Sequence, residues 1–244
     1  MRSTDASRTV VVLGTLAAVS EAAAREWVDA AAGAVAERSR FVVALAGGET
    51  PRPLYGRLAS EYRDAVAWDR TDVCFGDERC VPPHNPASSF RMAWAILLGR
   101  VPILEDHVHR IPGELGPDAA ARDYDTRLRR LFVDDRTAPT FDVAIMGVGA
   151  DGHTASLFPG DPALEERKRW AAPVLAPSEV KVRERVTLTL PVLNRARLVL
   201  FLCAGAEKRD VVSRILSGAA PELPAAQVHG VERTLWLLDR AAAG

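Results

Sequence analysis

The stretch Phe41-Val42-Val43-Ala44-Leu45-Ala46-Gly47-Gly48-Glu49-Thr50-Pro51 decides the fold of this chain. An apolar run is followed by two glycines and then by a proline, which is favoured at the first position of a helix. Such a short, continuously apolar run is typical of a strand that is covered on both faces of a parallel sheet. The pattern predicts a strand that turns into a helix, with Thr50 as the N-cap and Pro51 as the first helical residue.

The same alternation of apolar runs and helical patterns continues along the chain. Strands are predicted at residues 9–13, 41–46, 71–76, 108–111, 141–146, 186–190, 198–203 and 235–238. Helices are predicted at residues 16–38, 51–60, 89–98, 117–132 and 207–216. This order indicates an α/β fold with a mostly parallel sheet that is covered by helices. Residues 160–185 are rich in proline and charge, and they suggest an irregular, mobile flap.

Length and composition indicate a single ordinary domain. A chain of 244 residues is within the size that one hydrophobic core can organise. Its content of 48% hydrophobic and 26% charged residues is typical of a soluble globular protein. We therefore expect one domain over residues 1–244.

The balance of charges and the cysteine content indicate which binding partners and which cellular compartment we expect. The 31 basic and 32 acidic residues nearly cancel, so we expect no binding to nucleic acid or to a membrane. Three cysteines without a C-x-x-C pair indicate a reducing, cytoplasmic setting and buried thiols. A secretory signal is the alternative, because Arg2 and Arg8 precede the apolar residues 9–19. Asp5 and the break at Gly14 argue against that signal.

The glycine pair is a candidate anion site. Gly47 and Gly48 allow a ligand to approach the backbone closely, and the N–H groups at the start of the next helix carry the positive end of its dipole. Phosphate is the anion that suits such a turn. We expect Gly47, Gly48 and Thr50 to bind it. A plain strand-to-helix turn is the competing interpretation.

Cationic side chains follow two further predicted strands. Arg79 offers a planar fork that suits phosphate, and Asp77 or Glu78 would orient a sugar hydroxyl or hold the arginine. A solvated salt bridge is the competing interpretation there. Lys208 stands at the start of a predicted helix, where a cation is disfavoured unless an anion is bound nearby. A surface lysine is the alternative to this anion site.

The most glycine-rich loop is Gly147-Val148-Gly149-Ala150-Asp151-Gly152-His153-Thr154, which contains G-x-G-x-x-G. A dinucleotide fingerprint must open a full helix, whereas Pro159 and Gly160 stop any helix here. The loop instead presents Asp151 and His153 at the end of a strand. Histidine suits proton transfer near neutral pH, so His153 is the best candidate for a general base, with Asp151 as its orienting partner.

Metal and serine-nucleophile chemistry lack support in the sequence. No two histidines have the spacing of metal ligands, and the cysteines lie far from them. No serine, Ser156 included, lies in a G-x-S-x-G elbow. We therefore expect neither a metal nor a cofactor.

These segments, in this order, resemble the 6-phosphogluconolactonase family over almost the whole chain. The matching motifs are Gly47-Gly48-Glu49-Thr50-Pro51, Gly76-Asp77-Glu78-Arg79, His109-Arg110-Ile111-Pro112-Gly113-Glu114, Asp151-Gly152-His153-Thr154-Ala155-Ser156-Leu157-Phe158-Pro159-Gly160, Arg185-Val186-Thr187-Leu188-Thr189-Leu190-Pro191-Val192-Leu193-Asn194, Gly205-Ala206-Glu207-Lys208 and Leu235-Trp236-Leu237-Leu238-Asp239. The resemblance implies a three-layer α/β/α sandwich with a Rossmann-like sheet, which sugar-phosphate isomerases and deaminases share. Two departures are Glu49, where the family usually has serine, and Ala87-Ser88-Ser89, where it has Asp-Ser-Asn.

The resemblance implies hydrolysis of 6-phospho-D-glucono-1,5-lactone to 6-phospho-D-gluconate, a step of the oxidative pentose phosphate pathway. The expected catalytic residues are His153, Asp151 and Asp77. The expected phosphate-binding residues are Gly47, Gly48, Thr50, Arg79, Lys208 and, as a weaker candidate, Arg185. Oxyanion donors are expected among the N–H groups of residues 147–152. The sugar-phosphate lactone is the only expected partner, and the protein is expected to be a monomer or a small homo-oligomer.

Two rival functions stay open at this point. An aminosugar-phosphate deaminase also has an Asp-Gly-His loop, but its loop continues with Asn-Glu-Pro. Here Ser156-Leu157-Phe158-Pro159-Gly160 offers no such carboxylate. A sugar-phosphate sensor without catalysis is the rival from another class, although we find no DNA-binding segment in the sequence.

Overall fold

In the computed structural model, which describes residues 7–133 and 139–244, short strands alternate with helices. The strands are β1 (Ser7–Leu13), β2 (Phe41–Leu45), β3 (Thr71–Phe75), β4 (Asp77–Arg79), β5 (Val108–His109), β6 (Val143–Met146), β7 (Ala171–Leu175), β8 (Glu184–Leu188), β9 (Leu198–Cys203) and β10 (Arg233–Asp239). The helices are α1 (Leu16–Arg38), α2 (Arg52–Ala59), α3 (Ser89–Ile96), α4 (Pro117–Leu131), α5 (Leu190–Leu193), α6 (Arg209–Leu216), α7 (Pro224–Gln227) and α8 (Arg240–Ala243).

Among the described residues, the main sheet has seven strands in the order β1-β10-β9-β6-β2-β3-β5. All hydrogen-bonded neighbours within it run parallel. Helices flank the sheet; α1, for example, packs on β10, β9 and β2. The predicted α/β class and the mostly parallel sheet are confirmed.

The first helix, α1, has the bounds that the sequence pattern predicts. The apolar residues 9–19 are divided between β1 and α1, as the break at Gly14 predicts. The Thr15 side chain caps the helix by accepting a hydrogen bond of 3.3 Å from Ala18 N. The buried Trp27 packs edge to face on Phe41 of β2, at 5.6 Å between ring centroids.

Arg2 and Asp5, which the secretory-signal hypothesis weighs against each other, lie outside the described residues. Within the described part of the chain, no helix combines the length and the apolar character needed to cross a membrane. The three cysteines are free thiols: Cys74 and Cys203 are buried as predicted, whereas Cys80 is only half-buried, which corrects the prediction for that residue.

A second, antiparallel sheet joins β4, β8 and β7. The sequence pattern misses β4, because Asp77–Arg79 carries only charged residues, and β7, because Pro173 within it argues against a strand. The prediction that residues 160–185 are irregular is therefore wrong for Ala171–Leu175. Ala171 and Val174 are buried, so this part of the chain is not a flap.

Two helices begin later than predicted. Gly48 turns the chain with φ of +89°, and a bond of 3.2 Å from Arg52 N to Glu49 O closes a turn before α2. Thr50 therefore lies within this turn and is not the N-cap, and Pro51 precedes the helix. In the same way, a bond of 3.1 Å from Lys208 N to Gly205 O closes a 3₁₀ turn before α6.

The carboxyl ends of β2, β3, β6 and β9 meet at one edge of the main sheet. Leu45 pairs with Phe75, and Met146 pairs with Phe201. Because these strands run parallel, the loops that follow them leave at the same edge, where open α/β sheets bind ligands. The segments that follow these strands are residues 46–51, 147–154 and 204–208, together with Gly76 and β4.

Candidate active site

A cleft of about 330 Å³ opens at this edge of the sheet. Its volume lies within the range of small-molecule sites. The predicted site residues that line it are Gly47, Gly48, Thr50, Asp77, Arg79, His153, Arg185 and Lys208. Asp151 is the remaining predicted residue, and it contacts the imidazole of His153 from outside the lining.

The glycine turn presents backbone donors to the cleft. Among the described residues, the N–H groups of Gly47, Gly48 and Glu49 donate to no protein acceptor. A Cβ on Gly47 would lie 2.3 Å from Oγ of Ser89, so only glycine fits there. Tyr55 fixes the start of the turn, because its buried hydroxyl donates to Ala46 O at 2.8 Å and burial raises the pKa of this hydroxyl. The turn can therefore bind an anion through its backbone.

Arg79 is held by the loop that leads to α3. Its Nη1 donates to Ala87 O at 2.8 Å and reaches Oγ of Ser89 at 3.5 Å. Its Nε is buried without a partner among the described residues. The departure from the family pattern at Ala87-Ser88-Ser89 thus lies directly against this arginine.

Glu78 serves this loop and not the cleft. The buried carboxylate accepts hydrogen bonds from Ser88 Oγ at 2.9 Å and from the N–H groups of Ser89 and Phe90 at 2.7 and 2.8 Å. Burial raises the pKa of Glu78 despite these donors. The suggestion that Glu78 orients a sugar hydroxyl or holds the guanidinium of Arg79 is therefore wrong.

Asp77 and Arg185 lie deep in the cleft on the small sheet. The Asp77 carboxylate accepts a hydrogen bond of 2.6 Å from Ser156 Oγ and lies 3.9 Å from Nη1 of Arg185. Burial lowers the pKa of Arg185 against the opposing attraction of Asp77. Arg79 is directly opposite Arg185 in the pairing of β4 with β8, so both side chains leave the same face of the small sheet.

The imidazole of His153 is held from one side. Nδ1 lies 2.6 Å from Oδ1 of Asp151, which also accepts from the His153 N–H at 3.1 Å. Burial disfavours the Asp151 carboxylate, but its bonds with His153 outweigh this effect and lower its pKa. Because the carboxylate is an acceptor, we assign the proton to Nδ1, which leaves the lone pair on Nε2. The ring packs on Phe158 at 4.6 Å between centroids.

The glycine loop restricts which backbone groups can receive an oxyanion. Gly149 N donates to His153 O at 2.8 Å and Gly152 N donates to Gly149 O at 2.9 Å. These two members of the predicted set 147–152 are therefore already engaged. Gly147 and Val148 line the cleft, and among the described residues their N–H groups donate to no protein acceptor.

Lys208 enters the cleft from the turn before α6. It forms no ion pair with any described residue. Sequence reasoning rejects Ser156 as a nucleophile and gives neither Ser156 nor Phe158 another role, although both lie in the quoted motif. It also misses Ala155, which lines the cleft with φ of +48°, because alanine carries no preference for that conformation.

Within the described residues, no three His, Cys, Asp or Glu side chains are placed to hold a metal ion.

Comparison with known proteins identifies the family of this chain. The family model described as glucosamine-6-phosphate isomerases/6-phosphogluconolactonase matches residues 14–236. A 6-phosphogluconolactonase of Homo sapiens is 43% identical over 214 residues, which cover 84% of this chain and 81% of the relative. That of Synechocystis sp. is 39% identical over 213 residues, which cover 86% of each. The crystal structure of 6-phosphogluconolactonase from Thermotoga maritima superposes with a TM-score of 0.84 at 29% identity, covering 96% of this chain and 100% of that one.

Proposed function

The chain belongs to the family of glucosamine-6-phosphate isomerases and 6-phosphogluconolactonases, and from this premise we propose that it is a 6-phosphogluconolactonase of the pentose phosphate pathway. Its substrate is 6-phospho-D-glucono-1,5-lactone and its product is 6-phospho-D-gluconate. One observation carries this proposal. A single cleft brings the imidazole of His153 together with Arg79 and Lys208, which come from distant parts of the chain.

The phosphate of the substrate binds at the glycine turn. The N–H groups of Gly47 and Gly48 supply hydrogen bonds, and Arg79 and Lys208 supply positive charge. Arg185 adds a third cation from the floor of the cleft. The N–H group of Thr50, which has no acceptor among the described residues, donates to the same phosphate. Since the phosphate is remote from the reacting carbonyl, its binding energy serves to position the lactone.

His153 acts as the general base at the other end of the substrate. Its Nε2 takes a proton from water while the water oxygen bonds to C1 of the lactone. The tetrahedral intermediate then collapses, the bond from C1 to the ring oxygen breaks, and the imidazolium returns the proton to that oxygen. Asp151 keeps the proton on Nδ1 and stabilises the imidazolium through the contact of 2.6 Å. Asp77 lines the cleft beside Arg185, where its carboxylate can orient a hydroxyl of the sugar.

The oxyanion of the intermediate needs donors that are already in place. The N–H groups of Gly147 and Val148 are the candidates, because those of Gly149 and Gly152 have acceptors within the loop. The proposed route uses no metal ion and no cofactor, because a lactone carbonyl is already reactive toward water and the leaving oxygen stays attached to the product.

The test is the disappearance of lactone with and without protein, at one pH, against the spontaneous rate. We expect strong acceleration with the phosphorylated lactone and much less with glucono-1,5-lactone, which lacks the phosphate. A rate equal to the spontaneous rate would reject the proposal in favour of a binding protein. Release of ammonia from glucosamine 6-phosphate in a parallel assay would instead support the deaminase function.

A further inference from the structure

Ser156 lies beneath the cleft, between two charged side chains that line it. Its hydroxyl donates a hydrogen bond of 2.6 Å to Oδ2 of Asp77 and accepts one of 3.3 Å from Nη1 of Arg185. The residue is 0% exposed and is not part of the cleft lining. Any effect of Ser156 on a ligand must therefore pass through Asp77 or Arg185.

The serine hydroxyl keeps these two charges apart. Nη1 of Arg185 lies 3.9 Å from Oδ2 of Asp77, which is too far for a direct hydrogen bond. Both side chains are buried, and the attraction between opposite charges is strong where water is excluded. A direct charge-assisted bond would have a length of about 2.8 Å. Without the hydroxyl, the guanidinium is therefore free to move about 1 Å toward the carboxylate.

The backbone around Ser156 fixes the position of the hydroxyl. Thr154 and Leu157 exchange hydrogen bonds of 3.3 and 2.9 Å across a tight turn. The Ser156 N–H donates to Oγ1 of Thr187 at 3.3 Å. Ala155 adopts φ of +48°, which a residue with a side chain keeps only where its surroundings enforce it. The hydroxyl is thus a fixed point between the two charges.

Building on the proposed function, we propose that Ser156 is a positioning residue that holds the guanidinium of Arg185 in the cleft, ready to bind the substrate phosphate. Nε of Arg185 donates to Val182 O at 3.0 Å and Nη1 donates to Ser156. Among the described residues, Nη2 has no acceptor, so it is the nitrogen left to bind a ligand in the cleft that Arg185 lines. A shift of the guanidinium toward Asp77 would withdraw this nitrogen from the phosphate.

A double-mutant cycle of Ser156→Ala and Arg185→Gln tests the proposal. Its readouts are KM for the phosphorylated lactone and, by calorimetry, Kd for 6-phosphogluconate and for inorganic phosphate. Ser156→Ala alone should raise KM and Kd about 5- to 20-fold, with kcat changed less than about threefold. In the Arg185→Gln background it should change them less than about twofold, because the positioned group is gone. Arg185→Lys serves as a second background if the first variant does not fold.

Ser20→Ala is the matched control. Ser20 is another fully buried serine, on α1, whose hydroxyl donates to Leu16 O at 2.8 Å. Its loss should leave KM and Kd unchanged, although it also removes a buried hydrogen bond. An equal effect of Ser156→Ala in both Arg185 backgrounds would overturn the proposal. So would a lower Tm with unchanged KM and Kd.

A measurement without ligand separates this proposal from the proposed function. A crystal structure of the Ser156→Ala variant should show Nη1 of Arg185 within about 3 Å of Asp77. Retention of the 3.9 Å separation would overturn the role of Ser156 even if the enzyme is a lactonase. Conversely, a wild-type protein that shows no lactone hydrolysis would refute the proposed function, while the displacement of Arg185 would still decide the role of Ser156.

Discussion

Two histidine–aspartate pairs in this protein share one contact distance and differ in their surroundings. Nε2 of His109 lies 2.6 Å from Oδ1 of Asp72, and Nδ1 of His153 lies 2.6 Å from Oδ1 of Asp151. Both side chains of the first pair are 10% exposed, whereas in the second pair the imidazole is 31% and the carboxylate 47% exposed. The contact distance by itself therefore cannot distinguish a structural pair from a catalytic one.

The buried pair joins two strands of the main sheet. His109 is on β5, next to β3, which carries Asp72. Asp72 also accepts a hydrogen bond of 2.8 Å from Nε of Arg40. Burial disfavours the Asp72 carboxylate, but the bonds with His109 and Arg40 outweigh this and lower its pKa. His109 and Arg40 therefore stabilise the fold through their bonds with this carboxylate.

The exposed pair lies on a glycine turn at the cleft. A Cβ on Gly149 would lie 2.1 Å from Nδ1 of His153, so the turn admits no side chain there. Asp151 engages one imidazole nitrogen and leaves the other for chemistry. Exposure at the glycine-lined cleft, and not the carboxylate contact, therefore distinguishes the catalytic candidate from the structural pair.

Replacing His153 should give the largest effect. For His153→Ala we expect kcat to fall about 10²- to 10⁴-fold, because the proposed general base is lost, with a smaller change in KM. Tm should change by less than about 2 °C, since the side chain lies at the cleft surface. Steady-state kinetics and calorimetry measure both quantities. A kcat near that of the wild type would remove the imidazole from the mechanism.

Lys208→Ala should mainly weaken binding. Loss of a charge-assisted hydrogen bond of about 1.5 to 3 kcal/mol raises KM for the phosphorylated lactone roughly 10- to 100-fold. The rate with glucono-1,5-lactone, which has no phosphate, should change little. An equal loss of activity with both lactones would show that Lys208 does not bind the phosphate, and the proposed phosphate site would then be wrong at this residue.

For the buried pair of His109 and Asp72 we expect a loss of stability with little change in kcat. His109→Ala removes one partner of a buried carboxylate and should destabilise the protein by about 1 to 3 kcal/mol, which lowers Tm by several degrees. In the fraction that stays folded, kcat should remain within about twofold of the wild-type value. A large loss of kcat without loss of stability would show that the buried pair also serves catalysis, and the distinction between the two pairs would be wrong.

The buried pair should also carry a pH dependence of stability. Because the folded-state pKa of Asp72 lies below its ordinary value, its contribution is fully present above that ordinary value and is lost as pH falls through the folded-state pKa. Asp72→Asn should therefore be less stable than the wild type at neutral pH, with the difference shrinking below about pH 4. Denaturant unfolding at several pH values measures it, and a constant difference would contradict this sign.

The smallest effect is expected at the rim of the cleft. The Glu49 side chain is 84% exposed and pairs with Nε of Arg52 at 2.9 Å. Glu49→Ser removes a negative charge near the phosphate, so KM should fall by no more than about threefold, with stability unchanged within about 0.5 kcal/mol. A rise in KM would mean that the carboxylate assists binding.

Local sequence patterns predict many of the helices and strands of this molecule. The bounds of Leu16–Arg38 follow from the sequence, because the Thr15 cap and the alanine-rich interior are local signals. The meeting of the site loops at one edge of the sheet follows too, because parallel strands end at the same edge. Asp77–Arg79 is missed as a strand because pairing with β8 is a long-range contact.

The supporting contacts of the site are harder to predict for the same reason. Ser156 meets Asp77 only after the two sheets have formed. Glu78 looks like a site carboxylate in the sequence and becomes a structural one because α3 begins against it. Thr50 looks like an N-cap until the turn at Gly48 is built. Tertiary packing thus decides the roles of Ser156 and Glu78, whereas the error at Thr50 comes from a turn within the same loop.

The most direct test compares both imidazoles during one titration. We expect the ¹⁵N NMR resonance of Nε2 of His153 to shift saturably as 6-phosphogluconate is added, because product binding places a ligand beside this nitrogen. The resonances of His109 should stay unchanged, since that ring is bonded to Asp72 away from the glycine turn. Binding of the product with no shift at His153, or with the shift at His109 instead, would contradict the account.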